Sequence, residues 1–192
     1  MIDELVEQGW SVRRDAFPET FVEELKEEAR TLWQQGVFRQ AGIGREGHVH
    51  QTIRGDVIYW WNPETLSTTQ QRYWEAMEAL RCCLNEALFI NVSHFEMHYA
   101  VYPPGTRYEK HVDCLHSSAH RVISAVLYLN ESWKEDDGGC LRMYLNDECT
   151  RWYDVQPSFG TFVLFRSDTI EHEVLPALRV RFSLTGWFRR RR

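Results

Sequence analysis

The sequence predicts an α+β protein, mainly β, with helices first and an antiparallel β-core after them. Three observations predict it. Apolar residues recur at three- and four-residue spacing in two stretches before residue 90, several later segments alternate at period two, and turn residues separate those segments.

Taken in chain order, the opening "MIDELVEQGW" is acidic and has no apolar core of the kind a secretory leader carries, so none is expected. No apolar run reaches the ~20 residues needed to span a bilayer. In "FPETFVEELKEEARTLWQQG" one face collects Phe21, Val22, Leu25, Ala29, Leu32 and Trp33. Pro18 suits the first turn of that helix and Gly36 its C-cap. A second helix, about Thr69 to Leu88, carries Trp74, Met77, Leu80, Leu84 and Leu88. Between them "GIGREGHVHQTIRGDVIYWWNPE" has four glycines and no helical period. It reads as a long functional loop, about 39–62, entering a short strand from Val57 to Trp61.

After residue 90, "HFEMHYAVY", "RVISAVLYLN", "CLRMYL", "GTFVLF" and "VRFSLTGWF" read as strands. Pro103-Pro104-Gly105, Asp136 to Gly139, Asn146-Asp147, Pro157 and Gly160 punctuate them, the texture of a β-sandwich or barrel. With 192 residues, no repeat and no linker, one domain over 1–192 is expected: 1–90 as mainly helical support, 91–188 as the β-core, 189–192 as a basic tail. The tail, Arg189 to Arg192, reads as solvated and frayed. Net charge is −6, which argues against nucleic acid or an anionic membrane as partner. Five cysteines, odd in number and without a CxxC, fit packing residues in a reducing cytoplasm rather than a disulfide framework.

His111 and Asp113 stand two apart, so an extended backbone puts both on one face. A carboxylate beside an imidazole is two-thirds of the facial triad that holds non-haem Fe(II). His172, after an apolar strand, is the candidate third ligand. His116 and His120 flank an expected loop tip, and His48 and His50 sit in the glycine-rich loop. His98 shares a face with Ala100 and Tyr102 and is expected to point into the same cavity. Arg181, nine residues past His172, suits a cosubstrate with two carboxylate ends, because a guanidinium fork binds carboxylate through parallel hydrogen bonds. Ser183 and Thr185 continue its face, and Tyr128 can add a hydroxyl. Arg179 competes with Arg181, and spacing alone leaves both open.

Together "IRGDVIYWW", "YPPGTRYEKHVD", "AVLYLNESW", "GGCLRMY" and "HEVLPALRVRFSLTGW" resemble the 2-oxoglutarate- and Fe(II)-dependent prolyl hydroxylases, nearest the oxygen-sensing enzymes (hypoxia-inducible-factor type) and their bacterial relatives. The resemblance runs from about Trp10 to Trp187. It implies a double-stranded β-helix (jelly-roll) core with helices on one sheet, and Fe(II) held by His111, Asp113 and His172. It implies 2-oxoglutarate on Arg181, which it selects over Arg179, with Tyr128, Tyr102 and Thr185. Pocket and substrate positions fall on Trp60, Arg54, Asp56, Arg121, His98, Leu141, Val174 and Trp187, with Asp56 pairing Arg121 to pin the closing loop. The sequence departs from the family at His98, a position that is apolar in the animal enzymes, and in the loop after Asp113.

The implied activity is hydroxylation of a prolyl residue in a protein, with O2 and 2-oxoglutarate as cosubstrates, succinate and CO2 as products and ascorbate in support. A translation factor is the expected substrate class, and the protein is expected to be monomeric. The same chemistry on another side chain or a small molecule is one rival. A non-catalytic jelly-roll module is another, although it would be expected to lose a ligand or the arginine. A zinc hydrolase would leave Arg181 idle and lacks a general base on a neighbouring strand.

Overall fold

The computed structural model describes residues 1–42, 53–114 and 120–191. In chain order its helices are α1 (Ile2–Gln8), α2 (Glu19–Gln34) and α3 (Thr68–Leu88). Its strands are β1 (Trp10–Arg13), β2 (Arg39–Gln40), β3 (Val57–Trp60), β4 (His94–Tyr102), β5 (Tyr108–His111), β6 (Arg121–Tyr128), β7 (Leu141–Tyr144), β8 (Trp152–Val155), β9 (Phe162–Arg166), β10 (His172–Val174) and β11 (Arg181–Arg189). The larger sheet has the order β1-β9-β6-β11-β4-β3-β2 and the smaller β5-β10-β7-β8. From β4 to β11 the chain alternates between the two sheets, with only β7 and β8 adjacent in sequence and in the same sheet. That winding is the double-stranded β-helix.

Period-two alternation sorts the large sheet's side chains into two layers. Met97, Tyr99 and Val101 of β4, Ile123, Ala125 and Leu127 of β6 and Leu184 and Phe188 of β11 join one core with Leu25, Ala29, Tyr73, Met77 and Leu84 of the helices. The opposite face, Ala100, Tyr102, Val126, Tyr128 and Phe165, meets Leu141, Met143 and Val174 of the small sheet in a second core. The helices therefore back the large sheet, and the site lies on its other face.

Local chemistry explains the helix ends. Gly36 takes φ +71° directly after α2, a left-handed conformation that favours glycine. Pro18 sits at the N-cap rather than inside the first turn. Ser67 and Gln70 form a reciprocal capping box at the start of α3. Glu28 of α2 accepts from Gln70 Nε2 at 2.7 Å, from the Tyr99 hydroxyl at 2.9 Å and from Ser67 Oγ, so one carboxylate ties both helices to the sheet.

Several sequence expectations need correction. α1 and β1 occupy the acidic N-terminus, and β1 pairs with β9, a partner more than 150 residues away. β5 and β8 are too short to stand out by alternation. Cys82 and Cys83 are exposed on α3, not packed in a core. Arg189 belongs to β11 and pairs with Glu96, while the Arg190 Nε donates to the Ile90 carbonyl at 2.7 Å, so the tail's first two residues are held. Trp33 stays about one-third exposed, packing edge-on against Phe182.

Candidate active site

One cavity of about 570 Å³, counting its mouth, lies between the sheets. His111 ends β5, His172 opens β10, and the two pair directly in register. Asp113 lies at a bend just past β5 rather than on the strand itself. Its carboxylate oxygens are 3.6 Å from each Nε2. The three donor atoms fall within 4.8 Å of one another.

Each imidazole is oriented from behind. His111 Nδ1 lies 2.7 Å from the Glu109 carbonyl and His172 Nδ1 3.0 Å from the Ile170 carbonyl. A carbonyl can only accept, so each Nδ1 donates and each Nε2 is the ring nitrogen turned toward the common point. Burial, helped by neighbouring His111, pushes the His172 imidazole down to about 4, so it is neutral. Burial opposes the charge on Asp113, but His172, His111 and Arg121 outweigh it and hold the carboxyl well below its usual range. Ser124 Oγ donates to Asp113 Oδ2 at 2.6 Å and lies 2.8 Å from Ser167 Oγ. Two imidazoles and a carboxylate converging this way fit a divalent metal with open positions, the facial-triad donor set.

At the cavity's other end Arg181 is 2% exposed. Its Nε donates to the Gly139 carbonyl at 2.9 Å, and its guanidinium carbon lies 4.9 Å from the ring centres of Tyr102 and Tyr128. Among the described residues no carboxylate pairs with it, and a buried cation without an anion is costly. The Tyr128 hydroxyl is buried beside the Arg181 guanidinium and has no well-formed hydrogen bond among the described residues. Burial pushes that phenol up to about 12, tempered by the Arg181 charge, so it is a proton donor at neutral pH. An anion between Arg181 and Tyr128 would satisfy both. Arg179 instead turns outward and binds Asp137 at 2.8 Å.

Thr185 and Trp187 continue the Arg181 face of β11 into the cavity, and Leu141 and Val174 form apolar wall opposite. His98 is buried between Trp60 at 4.6 Å and Trp187 at 5.4 Å between ring centres. Trp60 itself stands at the surface. The expected Asp56–Arg121 pair is absent. Arg54, two residues away, takes both oxygens of Asp56 at 2.7 and 3.0 Å, and Arg121 binds Glu96 at 3.0 Å with its guanidinium 3.5 Å over the Trp187 ring. Glu96 is the register partner of Trp187, so it lies closer to Arg121 than the loop does.

His120 is in a turn whose carbonyl accepts from the Arg190 amide, away from the cavity, as expected of a loop residue. His48, His50 and His116 fall outside the described residues.

Tyr108 was not anticipated. It stacks on His111 at 3.7 Å, and the Arg54 guanidinium lies 4.7 Å from its ring centre. Three residues apart, Tyr108 and His111 would face opposite ways on a regular strand. The register shift in the β5–β10 pairing brings them to one face. Nor was Ser124, whose signal was only its place in a strand two residues before Val126.

Comparison with known proteins agrees with this geometry. The family model of the 2OG-Fe(II) oxygenase superfamily matches residues 97–189. Members of that superfamily use Fe(II), 2-oxoglutarate and O2. Over 98% of its length the chain is 30% identical to a hypoxia-inducible factor prolyl hydroxylase of Caenorhabditis elegans, spanning 27% of that relative. The crystal structure of a Pseudomonas putida prolyl-4-hydroxylase matches with TM-score 0.90 and 42% identity, covering all of this chain and 97% of that one. A Trichoplax adhaerens prolyl hydroxylase, solved with a peptide of the hypoxia inducible factor oxygen degradation domain, matches with TM-score 0.89 and 25% identity over 98% and 86% of the two chains. The chain belongs to the 2-oxoglutarate- and Fe(II)-dependent oxygenase superfamily, among its prolyl hydroxylases.

Proposed function

We propose that this chain hydroxylates a prolyl residue of a protein substrate, and that one cavity with a His111–Asp113–His172 cluster near one end and, at the other, a buried Arg181 that meets no carboxylate among the described residues is the observation that carries the reading. In it, His111, Asp113 and His172 hold Fe(II). Arg181 and Tyr128 clamp the far carboxylate of 2-oxoglutarate, and Tyr102 and Thr185 line its path. Iron, bound with 2-oxoglutarate and O2, supplies the oxidation, which yields succinate, CO2 and hydroxyproline.

The chain's own residues supply geometry. The Glu109 and Ile170 carbonyls keep both Nε2 atoms aimed inward, and Ser124 steadies the carboxylate. Leu141, Val174 and Phe165 keep the interior apolar. Near the mouth the exposed Trp60 offers a flat aromatic face, suited to a prolyl ring and its flanking peptide. Five unpaired cysteines support action in a reducing compartment such as the cytoplasm, and we read the enzyme as monomeric.

The test is to incubate the Fe(II)-loaded protein with 2-oxoglutarate, ascorbate and air in a lysate of the source cells, with His172→Ala alongside. Wild-type-dependent succinate and prolines heavier by one oxygen atom are expected. Succinate without a modified proline would move the substrate elsewhere, and neither signal despite bound iron would turn the reading toward a binding module.

A further inference from the structure

His98 is not used by the reaction as described. It lies on β4 in register with Thr185 of β11 on one side and Trp60 of β3 on the other. The residue is 1% exposed, yet among the described residues its Nδ1 has no hydrogen-bond partner. An unpaired buried ring nitrogen is destabilising, and the residue that carries it lines the cavity. Burial, with the charges of Arg54 and Arg121, holds the imidazole well below its ordinary value, while Asp113 pulls weakly the other way. The ring is therefore neutral and carries one N–H and one lone pair.

Register shows what it can meet. Tyr128, whose ring adjoins the Arg181 guanidinium, is the partner of Ser183. One row, two residues or about 7 Å, separates Ser183 from Thr185 and His98. An extended five-carbon diacid spans about that distance between its terminal oxygens. One row further, Trp187 pairs with Ser124, whose hydroxyl holds Asp113. The His98 row thus falls between the guanidinium and the carboxylate of the metal cluster, where the near end of a diacid anchored on Arg181 arrives.

We propose that His98 orients the cosubstrate, its imidazole Nδ1 making a hydrogen bond to the keto-acid end of 2-oxoglutarate while Arg181 holds the other end. This rests on the oxygenase reading above. Trp60 and Trp187 fix the ring's plane so that the nitrogen is presented without a rotamer search.

The experiment titrates Mn(II)-loaded protein with 2-oxoglutarate by calorimetry, and records the visible absorption of the Fe(II)–2-oxoglutarate complex without oxygen. His98→Leu keeps the volume and removes the nitrogen. His98→Asn places an amide nitrogen near the Nδ1 position, and His98→Gln places one near Nε2. His98→Leu is expected to weaken 2-oxoglutarate binding about tenfold and to shift the absorption band. His98→Asn is expected to recover most of both and His98→Gln little, with Mn(II) affinity unchanged throughout and the melting temperature of His98→Leu no lower than wild type. Wild-type affinity and an unmoved band in His98→Leu would overturn the proposal, as would equal weakening in the Leu and Asn variants, which would mark packing alone. Failure of the wild type to bind 2-oxoglutarate would sink the oxygenase reading and this inference with it.

Discussion

His172 illustrates how much of this site is decided atom by atom. Its ordinary value is 6.5, and in the folded protein burial, with His111, pushes it down to about 4. Between those limits the unfolded chain binds a proton that the folded one refuses. The metal-free protein should therefore hold this group's full contribution above about pH 6.5 and lose on the order of 2–3 kcal/mol as pH falls toward 4. Asp113 acts further into acid: its depressed value keeps its contribution until pH falls below the usual carboxylate range. Urea unfolding in chelator at pH 7 and pH 5 measures the slope, and His172→Asn should flatten it. The identities of such residues could be read from the sequence, since His-x-Asp and a distant histidine each answer a chemical demand. The choice between Arg179 and Arg181 could not be read from spacing, because it depends on which guanidinium turns inward and which finds Asp137 at the surface.

At the scale of elements, the turn before β7 has a specific task. Gly138 and Gly139 take φ +65° and +67°, and the Gly139 carbonyl receives Arg181 Nε. A Cβ on Gly139 would lie 3.0 Å from Ala177 Cβ and 3.1 Å from Arg181 Cδ. Gly139→Ala should therefore displace the guanidinium as well as strain the turn, which costs of order 1–3 kcal/mol. Calorimetry is expected to show 2-oxoglutarate affinity reduced at least about fivefold, with Mn(II) affinity kept because the metal cluster lies at the other end. Unchanged 2-oxoglutarate affinity would show that Arg181 does not depend on this turn. The long amphipathic helices and the β4, β6, β9 and β11 strands were legible because their period repeats over several turns or pleats. β5 was not, since four residues with a shifted register look like loop, and that shift is what joins Tyr108 to His111.

Across the whole molecule, the metal cluster gathers β5, β10 and the bend at Asp113, and Ser124 ties that bend to the large sheet. A bound ion should therefore stabilise the fold globally. Mn(II) at about a hundred times its dissociation constant contributes ~2.7 kcal/mol, roughly 5–10 °C in melting temperature for a chain of this size. Thermal melts with and without Mn(II) measure this, and His172→Ala should abolish the shift. 2-Oxoglutarate should add a further increment only when Mn(II) is present.

The sequence by itself determined the two long helices, the longer strands of the β-core and the residue types available for the metal and a carboxylate. These follow from backbone periods of 3.6 and 2.0, which are local. Only the tertiary structure decided that Asp56 meets Arg54 and not Arg121, that Glu96 collects Arg121 and Arg189, that Arg189 and Arg190 are held, and that β1 adds an edge strand beside β9. Those outcomes depend on how far apart two strands or a strand and a loop lie in space. Local periodicity carries no information about that distance, and electrostatic pairing falls to whichever opposite charge the packing brings nearest.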